Sequence, residues 1–163
     1  MKTIIVTGSP GTGKTTIAKA LAKKLKFKYL DVNKLIKEKK LKEKYIKKFD
    51  SYEIDIKKLN KELIKIIKKS DKIVIDSHLS HYLSKKYVNL CIVCKCNLKD
   101  LKKRLEKRKY SKIKIRENLD SEIFDVCLFE ALDNKHNVIT LDTTKGKISN
   151  KITNLLSKTS LSS

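Results

Sequence analysis

The sequence predicts a three-layer α/β/α fold built on a five-stranded parallel sheet. Short apolar, β-rich runs alternate with longer stretches of helical period along the whole chain, which is the pattern of strands covered on both faces by helices. A glycine loop joins the first run to the first helix. The 163 residues suffice for one domain, one that buries about 70% of the surface its unfolded chain exposes.

Each element has its own signal. KTIIVT at 2–7 is the first strand, and residues 14–26 carry apolar side chains at 17, 18, 20, 21, 22 and 25, one helical face. Residues 27–30 form a second short strand, followed by a charged helix at 33–40 capped by Asp31 or Asn33. Residues 41–54 keep no clean period and read as a covering segment. The stripe Ile56, Leu59, Leu63, Ile66 and Ile67 marks a helix from Asp55 that closes before the strand KIVID at 72–76. VNLCIVCKC at 88–96 is the next strand, then a helix over about 98–109. Ser111 caps one further helix that runs through Phe124 and Phe129 to Ala131. A last strand at 138–141 and a last helix at 148–156 follow, and the tail 158–163 reads as flexible. The single domain spans 1–157.

Composition bounds the partners. The formal charge is +22 and almost all cations are lysine, with Arg104, Arg108 and Arg116 the three arginines. Two readings stay open: a lysine-rich composition spread over every helix, or an anionic macromolecular partner. Aromatics are not interleaved with the lysines as a single-strand binder needs. The apolar run at the N-terminus is four residues long, too short for a signal peptide or a membrane span, so a cytoplasmic protein without membrane contact is expected. The four cysteines then read as reduced thiols. Cys91, Cys94 and Cys96 mimic metal spacing, but on a strand Cys91 faces away from the other two. His78 and His81 lack a third ligand nearby.

The strongest motif is GSPGTGKT at 8–15, which satisfies G-x-x-x-x-G-K-T between a strand and a helix. Glycines such as Gly11 and Gly13 let successive amides curl into an anion nest, and the helix N-terminus at Thr15 and Thr16 adds its dipole. Lys14 then reaches the β and γ phosphates of ATP, and the Thr15 hydroxyl meets Mg2+. Asp76, ending the strand KIVID, is the carboxylate such a loop needs to orient the hydrated metal.

These residues resemble a known family. GSPGTGKTT, FDSYEID (49–55), VIDSHLSH (74–81), the stretch 99–123 and LDTTKG (141–146) stand in the order seen in proteins of the adenylate kinase isoenzyme 6 type. Its sharpest marks are Asp76-Ser77-His78 and the stretch from Arg104 to Ser111. The resemblance implies a P-loop NTPase fold with a short monophosphate-binding segment, about 31–54, and a short lid, about 107–117. It implies phosphorylation of AMP by ATP with Mg2+, accompanied by ATPase activity. Lys37 and Asp55 would then bind the acceptor. Arg108 would meet the ATP phosphates, with Arg104 and Arg116 in support, and Lys145 would lie beside the adenine. His78, two positions past Asp76, could orient a water near the γ phosphate. Lys109 stands where the family commonly has glycine, which puts the lid's hinge geometry in question. The family's other implied role is as an ATPase in small ribosomal subunit maturation, with a ribosomal protein and rRNA as partners. A monomer is expected.

Overall fold

The computed structural model describes residues 2–47 and 51–159. Phe49 and Asp50 of the 49–55 stretch, and residues 160–163 of the tail, lie outside the described residues. The elements in chain order are β1 (Lys2–Thr7), α1 (Lys14–Leu25), β2 (Lys28–Asp31), α2 (Val32–Glu38), β3 (Lys42–Ile46), β4 (Ser51–Ile54) and α3 (Ile56–Lys68). They continue with β5 (Lys72–Asp76), β6 (Leu90–Lys95), α4 (Leu98–Lys107), α5 (Lys112–Ile123), α6 (Val126–Asp133), β7 (Val138–Asp142) and α7 (Ile148–Ser157).

Five strands pair in the order β2-β5-β1-β6-β7, all parallel. Alternation along β1 explains the layers. Ile4 and Val6 pack with Ile17, Leu21 and Leu155 of α1 and α7. Ile5 points to the other face, among Leu59, Leu63, Ile67 and Ala131 of α3 and α6. Burial of side chains on both sheet faces is the main stabilising term, roughly 1.5–3 kcal/mol for each large apolar side chain removed from water. The register sets the functional edge: Val6 and Asp31 both lie opposite Asp76, and Thr7 lies opposite Val93. The carboxyl ends of the central strands therefore finish level, where the chain changes direction across β1 and ligands bind in such sheets.

The structure corrects two elements. Residues 41–54 are not a periodless cover: β3 and β4 form an antiparallel hairpin with Tyr45 opposite Tyr52, their rings 5.0 Å apart. The hairpin stands off the main sheet with most of its side chains in solvent, so neither face imposed an apolar period. The single helix read from 111 to 131 is two, α5 and α6, broken where Asp125 takes φ 52°. Asp125 is held there by an ion pair with Lys95, which also reaches Glu122.

Lys109 does take the conformation usually given to glycine, with φ 57°. Its amide donates to Glu106 O and the Tyr110 amide to Leu105 O, a Schellman closure of α4 with lysine at the left-handed position.

Candidate functional site

The glycine loop leaves β1 and turns so that α1 begins at Lys14 with nothing in front of it. Gly13 is the N-cap, no side chain caps the helix, and its first turn holds no acidic residue. By contrast α2, α3, α4 and α5 are capped by Asp31, Asp55, Asn97 and Ser111. An uncapped helix start leaves its first amides open to an anion. Within the loop the Ser9 carbonyl accepts from the Thr12 hydroxyl at 2.8 Å and from Lys14 Nζ at 2.9 Å. That contact parks the ammonium inside the curl. Burial lowers the Lys14 pKa, although nearby Asp76 favours its charge.

A cleft of about 700 Å³ opens in front of the loop. Gly11, Gly13, Lys14, Thr15 and Thr16 line it together with Lys37, Lys42 and Tyr52 of α2 and the hairpin. Asp76, His78 and Arg108 line it too. A second cavity of about 620 Å³ shares Gly11, Gly13, Thr16 and Arg108 and extends to Lys145 and Gly146. The structure thus brings Lys14, Thr15, Asp76, His78, Arg108 and Lys37 to one cleft and Lys145 to the adjoining one. Arg108 alone among the candidate side chains beyond the glycine loop and α1 borders both.

Two expected residues are elsewhere. Asp55 caps α3, its carboxylate accepting from the Lys58 amide at 2.9 Å and pairing with the Lys58 ammonium, and it does not line the cleft. Arg116 pairs with Asp120 on the exposed side of α5 and lines neither cavity. Arg104 works through the backbone, donating to Gly11 O, Thr143 O and Thr144 O. It ties the glycine loop to the segment after β7.

The histidine beside Asp76 is held uncharged. Burial, reinforced by Lys14 and His81, pulls the His78 pKa from 6.5 down to about 4, so its imidazole is uncharged at neutral pH. His81 is fully enclosed: Nε2 meets Glu130 Oε2 at 2.9 Å and Nδ1 meets the Thr7 hydroxyl at 2.8 Å. An ionised carboxylate only accepts, so Nε2 carries the proton and Nδ1 accepts from Thr7. Both ring nitrogens are used, and a His78–His81 metal clasp is excluded. Cys91 and Cys94 are buried on opposite faces of the sheet, with burial pushing both thiols up to about 12, and all four cysteines are free. Among the described residues no group of three His, Cys, Asp or Glu side chains could cage a metal. Mg2+ beside phosphates binds through one or two protein oxygens and keeps several waters. The Thr15 hydroxyl and the Asp76 carboxylate are oxygen donors of the right chemistry on one cleft.

Sequence reasoning missed Tyr29. Its hydroxyl donates to Asp76 Oδ2 at 2.9 Å from the neighbouring strand. The residues lie 47 positions apart, and only the pairing of β2 with β5 reveals the contact.

A phosphate loop at an uncapped helix, in the centre of a parallel five-stranded sheet, defines a P-loop phosphotransferase fold. A family model described as "AAA domain" matches residues 4–125. A protein of Methanocaldococcus jannaschii named "Putative adenylate kinase" is 40% identical over 153 residues, covering 94% of this chain and 83% of the relative. One of the same name from Pyrococcus furiosus is 41% identical over 151 residues, covering 93% and 79%. The chain belongs to this P-loop family of archaeal adenylate kinase relatives. Shikimate kinase from Acinetobacter baumannii in complex with shikimate shares the fold at a TM-score of 0.67 and 17% identity, over 97% of this chain and 92% of that one. Deoxyadenosine kinase from M. mycoides with bound dATP does so at 0.61 and 14%, over 96% and 98%. No helix among the described residues is long and apolar enough to cross a membrane.

Proposed function

We propose that the protein transfers the γ phosphoryl group of ATP to AMP, giving two ADP. The observation that supports this reading is one cleft whose lining joins Gly11, Gly13, Lys14, Thr15 and Thr16 of the phosphate loop and α1 with Lys37, Lys42 and Tyr52 of α2 and the hairpin. Lys14 and the free amides of α1 hold the triphosphate. Residues 31–54 form the acceptor segment, where Lys37 grips the AMP phosphate, and residues 107–117 form the lid of a single domain spanning 1–157. Thr15 and Asp76 would hold Mg2+, which would supply charge neutralisation to the phosphates. Arg108, bordering both cavities, is placed to offer its planar fork to the phosphoryl group in transit. Lys145 lies beside the donor base. The acceptor oxygen of a monophosphate is already anionic near neutral pH, so transfer needs alignment and charge neutralisation, with no general base. Neutral His78 in the cleft lining orients water and supports a slower ATPase.

Coupled assays with AMP, CMP, shikimate or no acceptor test the reading. AMP should raise turnover well above the rate without acceptor; turnover indifferent to AMP refutes it. His78→Ala should then lower ATPase more than AMP phosphorylation, and an equal fall refutes the water-orienting role.

The charge supports a second reading. Forty Lys and Arg against 18 Asp and Glu favour a polyanion, as in an ATPase acting on a small-subunit ribosomal protein and rRNA. Stimulation of ATP hydrolysis by rRNA fragments without AMP separates it from the first.

A further inference from the structure

We propose that Tyr29 is a positioning residue for the metal-binding carboxylate: its hydroxyl holds one oxygen of Asp76 so that the other is presented to the cleft. This rests on the reading of Asp76 as the Mg2+-orienting group.

Asp76 ends β5 and is 4% exposed. A carboxylate buried that far needs a donor on each oxygen that water cannot reach, or it turns to find one. Two rotations about its side-chain bonds would otherwise let it swing between the cleft and the strand edge. Tyr29 removes that freedom. It sits on β2, whose register places Asp31 opposite Asp76, so the tyrosine ring starts two residues below and its hydroxyl reaches Oδ2 at 2.9 Å. The ring is itself fixed. It packs against the α1 and α7 face of the core, and Lys19 Nζ of α1 lies 5.6 Å from its centroid. The anchor therefore ties α1, the helix of the phosphate loop, through β2 to the carboxylate at the end of β5.

The direction of donation is settled by chemistry. An ionised carboxylate cannot donate, so the phenol must. A neutral donor also leaves the full carboxylate charge available to a cation. A lysine at the same place would cancel it.

The test compares Tyr29→Phe, Asp76→Asn and the double variant with the parent protein. Phenylalanine keeps the ring, its packing and the Lys19 contact, so thermal unfolding should stay within a few degrees. Mn2+ affinity in the presence of ADP, read by electron paramagnetic resonance of the free ion, should fall about 5-fold in Tyr29→Phe, and at least that much in Asp76→Asn. In the Asp76→Asn background the tyrosine change should have no further effect, because it acts through the carboxylate. AMP binding, measured without metal, should be unchanged. Unaltered Mn2+ affinity in Tyr29→Phe with a loss in Asp76→Asn overturns the role of Tyr29 and leaves Asp76 in place. Undiminished affinity in Asp76→Asn overturns the reading of the carboxylate itself. Additive losses in the double variant show that Tyr29 acts by another route and overturn the proposal.

Discussion

Replacing Gly8 with alanine should be far more damaging than replacing Gly13, although both are glycines of one loop with positive φ. A Cβ on Gly8 would lie 2.4 Å from the Cys94 carbonyl oxygen and 3.0 Å from Thr12 Oγ1, at φ 134°. The carbonyl belongs to β6, which is paired on both sides, with β1 and β7, and cannot withdraw without moving a central strand. Strain at such a backbone angle costs about 1–3 kcal/mol, and overpacking against a fixed group adds about 1–3 kcal/mol. At Gly13 the φ of 86° is unfavourable too, but the nearest atoms are those of the Thr143 side chain at 3.5 Å, an ordinary contact. That leaves the conformational cost alone, about 1–2 kcal/mol. The expected gap between the variants is roughly 2 kcal/mol, which for a urea slope of about 2 kcal/mol/M separates their midpoints by about 1 M. Urea titrations followed by circular dichroism measure it. Coincident midpoints, or a lower one for Gly13→Ala, would refute the argument that the β6 carbonyl sets the constraint at Gly8.

The remaining expectations are shorter. The depressed pKa of His78, about 4, means the unfolded chain takes up the proton first as pH falls from 6.5, so stability should drop by about 3 kcal/mol across that window. His78→Gln should flatten part of the slope in urea midpoints against pH, the rest belonging to His81, whose pKa burial also lowers. Arg108→Lys should reduce kcat/KM for AMP phosphorylation by roughly 10- to 100-fold, because an ammonium cannot present the planar fork, while thermal stability is unchanged; equal activity would remove Arg108 from the phosphate site. Glu122 is buried, accepts from the Cys96 amide at 2.9 Å and pairs with Lys95, so Glu122→Ala should cost about 3 kcal/mol in urea unfolding. Lys109→Gly should raise stability by about 0.5–1 kcal/mol, since the left-handed position no longer carries a Cβ.

The alternation of strands and helices, the glycine loop before α1 and the place of Asp76 at the end of β5 were legible because each is local: an apolar run, a glycine spacing, a strand's last residue. What escaped is non-local or depends on exposure. The β3–β4 hairpin has solvent on both faces and so has no period to read. The break between α5 and α6 depends on Lys95, which lies on β6 and pulls Asp125 and Glu122 toward it. Tyr29 and Asp76 meet only through strand pairing. The family resemblance implied Asp55 as a ligand of the acceptor, yet its carboxylate is consumed by the start of α3. Helix ends were blurred for a different reason. Lys26, Lys40, Lys109 and Lys135 all take positive φ just past a helix, and each is followed by a residue whose amide reaches back five positions, so the glycine that usually announces a helix end is missing from the sequence.

That substitution pattern gives the phosphate loop a physical argument of its own. Lysine stands in the left-handed conformation at four helix ends with φ of 52–61°, at about 1 kcal/mol each, whereas the four glycines take φ of 86–134°, farther from the region an L residue tolerates. Contacts within the chain add to that demand at two of them. Gly8 answers to the Cys94 carbonyl and Gly11 to Leu101 and Leu105, whose methyl groups would lie 2.9 and 3.0 Å from an added Cβ. Gly13 and Gly146 meet nothing closer than 3.5 Å within the chain. Both line the second cavity, and Gly13 lines the main cleft as well. At these two positions glycine is set by the backbone angle, and an added Cβ would meet ordinary contacts, with Thr143 at Gly13 and with Lys151 at Gly146, in place of a clash within the chain.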